Sequence, residues 1–169
     1  MVEKELERRR EPEPKFNSYE FQVQRYVELL RQSREGKKVV KWKDIPWEQS
    51  RQGVLKYYCT EASKDVAAIG WAVFQQRITK HSGKHVHQGG LVIYVIDGKG
   101  YTVIDGVRFD WKSGDLIVLP FKPGGVEHQH FNESPEKPAH WVAFRFYPWM
   151  DYTAGCITQV ETHEDWGKK

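Results

Sequence analysis

LVIYVIDGKGYTVIDGVRFDWKSGDLIVL, residues 91–119, is the stretch that decides the fold. It reads as strands over 91–96, 100–104, 107–111 and 115–119, because β-branched and aromatic side chains suit a pleated surface. Asp97-Gly98, Asp105-Gly106 and Ser113-Gly114 separate them as turns. Asp105-Gly106 stands between Tyr101-Thr102-Val103-Ile104 and Val107-Arg108-Phe109, which is the pattern of a tight two-residue hairpin. Outward from this core the same texture recurs over 53–59, 69–79 and 84–88, then over 126–131 and 139–147, with turns at His81-Ser82-Gly83 and Pro123-Gly124-Gly125. Many short antiparallel strands predict a sandwich or barrel, the double-sheet jelly roll among them. No internal repeat is visible, so residues 41–169 are expected to form one barrel with a C-terminal extension.

Upstream the texture differs. Asn17 followed by Glu20 has the form of a capping box, and Tyr19, Val23, Tyr26, Val27 and Leu30 recur at helical spacing. Residues 16–40 are therefore expected to hold a helix that stops near Gly36, followed by a linker. The helix's apolar stripe is expected to cover one end of the domain or a neighbouring subunit. Residues 1–15, with Pro12, Pro14 and no apolar period, are expected to be a disordered charged arm.

At 169 residues, with 39% hydrophobic and 29% charged, the chain has the make-up of one folded domain. The net charge is +3 and the signs are interspersed, so nucleic acid is not an expected partner. No window approaches the roughly 18 apolar residues of a membrane span, so no membrane partner is expected. The charged start is unlike a secretory signal. Cys59 and Cys156, isolated and without ligand-like spacing, read as reduced thiols of a cytoplasmic protein.

Chemistry is signalled by the histidines at 81, 85, 87, 128, 130, 140 and 163. Four of them form two His-x-His pairs. On a strand, residues i and i+2 share a face, so His85 and His87 stand side by side roughly 6.5 Å apart at their Cα atoms. Two such imidazoles can close on one divalent metal. A third ligand must come from another strand, and His128 and His130 lie on one.

These residues resemble the cupin family. His85-Val86-His87 and Gly98 match its first motif; Gly114, Pro120, Pro123, Gly125, His128 and Asn132 match its second, with three additional residues between the halves. The resemblance covers residues 70 to 147. It implies a double-stranded β-helix, the jelly-roll barrel, holding one metal ion on His85, His87 and His128, and it favours a homodimer. Thr79 replaces the opening glycine of the first motif, and Leu91 replaces its metal-binding glutamate, seven residues before Gly98.

Three neutral imidazoles would leave a six-coordinate ion with three open positions and its full +2 charge. An anionic chelating substrate could take two of them and dioxygen the third. Imidazole suits iron(II), which is the expected ion, with manganese, nickel and zinc as alternatives. The arrangement resembles the cupin dioxygenases that cleave carbon–carbon bonds, and 101–106, Asp110-Trp111 and Gly114-Asp115 look most like gentisate dioxygenase. The implied function is cleavage of a small hydroxylated aromatic or diketone-like substrate. Rival readings are a redox-neutral isomerase or lyase, with His130 moving protons, and a non-catalytic ligand-binding module.

Around the metal, His130 is the candidate catalytic residue beyond the ligands. Arg77 and Arg145, each inside an apolar strand, are the candidate cations for the substrate, and Leu91 and Phe121 candidate pocket walls. Tyr94 and Phe121 are also weighed as stacking partners, with core packing the better reading for both. Gln88, Glu127 and Gln129 are near enough to orient the imidazoles. His81 reads as a turn residue, His140 as a strand residue and His163 as part of a polar tail.

Overall fold

The computed structural model describes residues 17–153 and 157–168. The expected arm and Cys156 lie outside them. Eleven strands and two helices follow Asn17 in chain order: α1 (Ser18–Glu35), β1 (Glu48–Ser50), β2 (Gly53–Cys59), β3 (Trp71–Ile78), β4 (Lys84–His87), β5 (Leu91–Asp97), β6 (Lys99–Ile104), β7 (Val107–Lys112), β8 (Leu116–Leu119), β9 (Val126–Asn132), β10 (Ala139–Phe146), α2 (Tyr147–Tyr152) and β11 (Thr158–Glu161). They form two antiparallel sheets, β1-β2-β3-β10-β5-β8 and β11-β4-β9-β6-β7, the jelly-roll barrel with an N-terminal helix. No helix of the described residues is long and apolar enough to cross a membrane.

Local chemistry accounts for the connections. Asp105 and Gly106 adopt φ of 47° and 82°, the left-handed pair that a type I′ hairpin requires, and β6 pairs with β7 from Ile104 opposite Val107 outward. Asn17 Oδ1 accepts the N–H groups of Tyr19 and Glu20 at 3.1 and 3.2 Å, satisfying two donors of the first turn of α1. The helix stops at Gly36 by a different device from the left-handed cap that a glycine suggests. Gly36 has φ −58°, and a Cβ there would come within 2.5 Å of Gln32 O and 2.7 Å of Ala67 N. Glycine is needed for close approach, not for backbone freedom.

The core lies between the sheets. Leu91, Ile93, Val95, Trp141 and Ala143 from the first sheet meet Trp111 from the second, all at most 5% exposed. Burying a large apolar side chain of this kind contributes about 1.5–3 kcal/mol. The stripe of α1 does not cover the end of the domain. Tyr19, Tyr26, Val27 and Leu30 are more than half exposed, and the buried residue of the helix is polar: Gln32, whose Nε2 donates to Ser63 O and Val66 O at 2.8 Å. Cys59 is a buried free thiol whose pKa is raised by burial. His163 also departs from expectation: the tail is not merely polar. Its ring is buried against Gly53, accepts Asp165 N–H through Nδ1 at 3.1 Å, and its backbone N–H is held by Arg51 O.

Candidate metal centre

The two His-x-His strands lie next to each other. In the β4–β9 ladder, His85 is opposite His128 and His87 opposite Val126. Alternation along β9 turns Val126, His128 and His130 inward. Ring centroids of His85, His87 and His128 are 4.1 to 5.4 Å apart, and one ring nitrogen from each lies within 4.8 Å of the others. The described residues bring no carboxylate or thiol into this group. Leu91, 4% exposed, lines the same cavity.

The rings are prepared to donate lone pairs. Burial pushes His85 down to about 2, His87 to about 3 and His128 to about 4, with neighbouring histidines adding to the shift at His85 and His87. All three are neutral at pH 7, as metal ligation demands. His128 Nδ1 donates to Val126 O at 3.1 Å, which leaves the lone pair on Nε2. That Nε2, and His85 Nδ1, are buried without a hydrogen-bond partner among the described residues. Such orphaned acceptors in a histidine cluster fit a divalent cation. His87 is tied differently, because Nδ1 accepts Gly89 N–H at 3.0 Å. Either nitrogen reaches a cation only at the expense of that bond: Nδ1 directly, Nε2 because the ring's one proton must then sit on Nδ1. The backbone supplies both orienting contacts. Gln88 instead donates to Met150 O and Thr153 Oγ1, Gln129 to Ser82 O and towards His81 Nδ1, and Glu127 pairs with Lys84, so none of the three expected residues orients an imidazole of the cluster.

A cavity of about 500 Å³ opens from the histidines between the sheets. Leu55, Phe74, Leu91 and Trp141 form its apolar side, and Arg51 and Arg145 are its cations; no carboxylate lines it among the described residues. Arg145 donates to Tyr147 Oη and stacks on that ring at 4.6 Å, while its Nε is buried without a partner among the described residues. Its charge is close enough to depress the pKa of His87, after burial and His128. His130, 2% exposed, also lines the cavity, with its ring 5.6 Å from that of His128. Its Nδ1 lies 2.8 Å from Thr102 Oγ1, which accepts Trp111 Nε1–H at 2.9 Å, and complete burial holds the imidazole neutral. A larger groove of about 730 Å³ beside α1 contains no histidine or cysteine in its lining.

Two expected pocket residues lie elsewhere. Arg77 is exposed on the opposite face of β3, its guanidinium 5.6 Å from the Trp47 ring, because the inward positions of that strand fall to Phe74, Gln76 and Ile78. Phe121 is half exposed and packs on Trp149 at 5.4 Å, outside the cavity. Tyr94 is 45% exposed on the outer face of β5 rather than in the core. His140, opposite Arg77, bonds Asp97 at 2.8 Å, and Asn132 closes its own turn through Thr79, Ser134 and Lys137 carbonyls. Two features of the cavity escaped the sequence. Trp141, 3% exposed, carries an unpartnered Nε1, and its shared parity with Arg145 on β10 was a usable signal. Gln52 reaches the cavity through an amide chain, its Nε2 donating to Gln159 Oε1 at 2.8 Å while Gln159 Nε2 donates to Lys84 O, and no local pattern announces such a chain.

Comparison with known proteins agrees with this architecture. No curated protein matches the chain. Among solved structures, the fold is similar to the polyketide cyclase RemF of Streptomyces resistomycificus (17% identity, TM-score 0.54, 76% of this chain and 89% of that one). It is similar also to a cupin-like protein of Thermotoga maritima (18%, 0.52, 70% and 90%). A third is salicylate 1,2-dioxygenase of Pseudoaminobacter salicylatoxidans with gentisate (17%, 0.52, 85% and 36%). The chain thus spans 36% of that dioxygenase's length. At these identities the likeness is one of fold. The cupin domain family matches residues 76–145, from β3 through β10, and the paired sheets and the clustered histidines of the barrel agree with that match.

Proposed function

We propose that this chain is a non-haem iron(II)-dependent dioxygenase that cleaves a carbon–carbon bond in a small hydroxylated aromatic or diketone-like substrate. The fold alone supports cyclases as well as dioxygenases, so the donor set carries the reading: three neutral imidazoles, with Leu91 where a fourth, anionic ligand would stand. A dication on neutral ligands retains its charge and attracts an anionic chelator. When bound, iron(II) supplies the redox chemistry that couples dioxygen to cleavage of the chelated substrate.

The protein's own groups bind and shape. Arg145 meets an anionic oxygen of the substrate with its unpartnered Nε. Leu91, Phe74 and Trp141 exclude water, which strengthens that attraction in a medium of low dielectric. His130 hydrogen-bonds the substrate from beside the metal ligands. Thr102 takes the Trp111 proton donor and gives its own hydroxyl hydrogen to His130 Nδ1, so the His130 proton sits on Nε2.

Anaerobic reconstitution with iron(II), followed by oxygen-electrode screening of hydroxylated aromatics and diketones, tests the reading. Oxygen uptake should require iron and disappear with zinc. His85→Ala, His87→Ala and His128→Ala should each lose bound metal, whereas His140→Ala keeps it. Turnover without oxygen would assign the cavity to redox-neutral chemistry with His130 as proton carrier, and ligand binding without turnover would make it a binding module.

A further inference from the structure

One wall of the metal cavity is a seam between the two sheet edges. The β1–β2 hairpin, at the edge of the larger sheet, brings Arg51 and Gln52 to the lining, and β11, at the edge of the smaller sheet, brings Gln159. β11 lies directly against the ligand strand β4, with Gln159 opposite His85. Hydrogen bonds tie the hairpin across the seam: Gln52 Nε2 to Gln159 Oε1 at 2.8 Å, Gly83 N–H to Gln52 O at 3.1 Å and His163 N–H to Arg51 O at 2.8 Å. The approach is so close that a Cβ on Gly83 would stand 2.3 Å from Arg51 O and 2.7 Å from Gln159 Nε2. As far as His163 the seam is fixed.

Beyond His163 the hold changes. The backbone bonds over 164–168 are those of a turn, Trp166 N–H to His163 O at 3.0 Å and Lys168 N–H to Asp165 O at 3.3 Å, with Asp165 N–H on His163 Nδ1. Among the described residues the turn's ion pair to the barrel is Lys80–Glu164 at 3.2 Å, exposed on both sides and so of little energetic weight. This lightly held turn nevertheless returns the Trp166 indole to the cavity lining, and leaves it 46% exposed. Trp166 is also the one large apolar residue in the run Glu164-Asp165-Trp166-Gly167-Lys168. An indole with the cavity on one side and solvent on the other, carried on such a turn, can swing without breaking the sheet.

We infer that Trp166 is a specificity-determining wall of the cavity: its indole swings aside for entry, admits small ligands to the three histidines and turns larger ones away. The inference rests on the cavity being the ligand's site, as the proposed function requires, and is independent of iron and dioxygen. In place, the indole extends the apolar side formed by Leu91, Phe74 and Trp141, so the residue that selects the ligand also helps to keep water from it.

Two measurements on the full chain test this. In the metal-free protein, labelling by diethyl pyrocarbonate, mapped to His128 and His130 by peptide mass spectrometry, reads access to the cavity. Trp166→Ala should label both about tenfold faster than the parent, and Trp166→Phe should stay near the parent rate. Trp149→Ala, which removes a similarly exposed indole outside the lining, should not change the rate. In the cobalt(II)-loaded protein, visible titration with imidazole and with its bulkier phenyl derivative reads size selection. Trp166→Ala should tighten the phenyl derivative by about 10–100-fold and leave imidazole within about twofold. Far-ultraviolet circular dichroism checks the fold, and should Trp166→Ala not fold, Trp166→Leu takes its place with the same expectations. Parent-like labelling of the Trp166 variant, an equal rise in Trp149→Ala, or unchanged discrimination between the two imidazoles overturns the inference. Accelerated labelling in a protein that binds no cobalt upholds the wall and strikes instead the metal centre on which the proposed function stands.

Discussion

Lowering the pH from 7.5 to 5 should strongly destabilise the metal-free protein, with the three clustered histidines supplying a large share of the effect and buried His130 adding to it. His85, His87 and His128 have native pKa values of about 2, 3 and 4, against an ordinary value of 6.5. Between the native and unfolded values only the unfolded chain takes up these protons, so stability falls with pH throughout that window. At pH 5 an unfolded imidazole is about 1.5 pH units below its pKa, which amounts to about 2 kcal/mol per histidine. Three together approach about 6 kcal/mol, comparable with the whole stability of many domains. For a domain of this size that is a drop of about 12–24 °C in melting temperature. Thermal melts of the chelator-treated protein at pH 7.5, 6.5, 5.5 and 5 measure it. The curve should be flat above about pH 7 and steep below 6.5. Metal-loaded protein should resist until protons compete successfully for the ligands. A metal-free melting temperature unchanged between pH 7.5 and 5 would refute the buried, neutral cluster.

Four substitutions separate the roles around it. His130→Asn keeps an acceptor for Thr102 and should retain full metal, while the catalytic rate falls by about 100-fold, a typical loss for a positioned proton donor; an unchanged rate returns His130 to a packing role. Arg145→Gln removes a charge-assisted bond worth about 1.5–3 kcal/mol and should raise KM for an anionic substrate by roughly 10–100-fold, whereas Arg77→Gln, on the outer face, should leave kinetics within about twofold. Leu91→Glu supplies the missing carboxylate: iron affinity should hold or rise, and oxygen uptake should drop by roughly 100-fold because one position and one unit of positive charge are lost. Parent-like turnover in a folded, iron-loaded Leu91→Glu protein would mean that Leu91 does not face the metal.

The parts of this molecule legible from sequence are those governed by local rules. The Asp105-Gly106 hairpin, the Asn17 cap and the shared face of His85 and His87 each depend on neighbours within a few residues, whereas His128, on a distant strand, was reached through the resemblance to a two-part motif. Contacts built by distant segments were not legible. The Gln52–Gln159 bond joins residues 107 positions apart, and β11, which carries Gln159 against β4, arises from a tail with no strand pattern. The orienting partners of His87 and His128 were missed for another reason: they are backbone groups of Gly89 and Val126, which every sequence offers everywhere.

The arginines expose a deeper limit. Arg77 and Arg145 both lie inside apolar strands, yet one faces out and the other lines the cavity. Parity reads orientation only where one face is polar. In β3, Gln75 is buried beneath Trp42 on one face and Gln76 bonds Gln52 O on the other, so neither set of alternate residues is marked as solvent-facing. In β10, Trp141 and Ala143 point inward while Val142 and Phe144 point outward, and both sets are apolar. The ambiguity that concealed which arginine serves the substrate is thus itself a physical signal. A sheet whose strands cannot be assigned an inside and an outside by hydrophobicity carries apolar side chains on both faces, and among the described residues Val92, Tyr94, Leu116 and Phe144 stand exposed on the outer one.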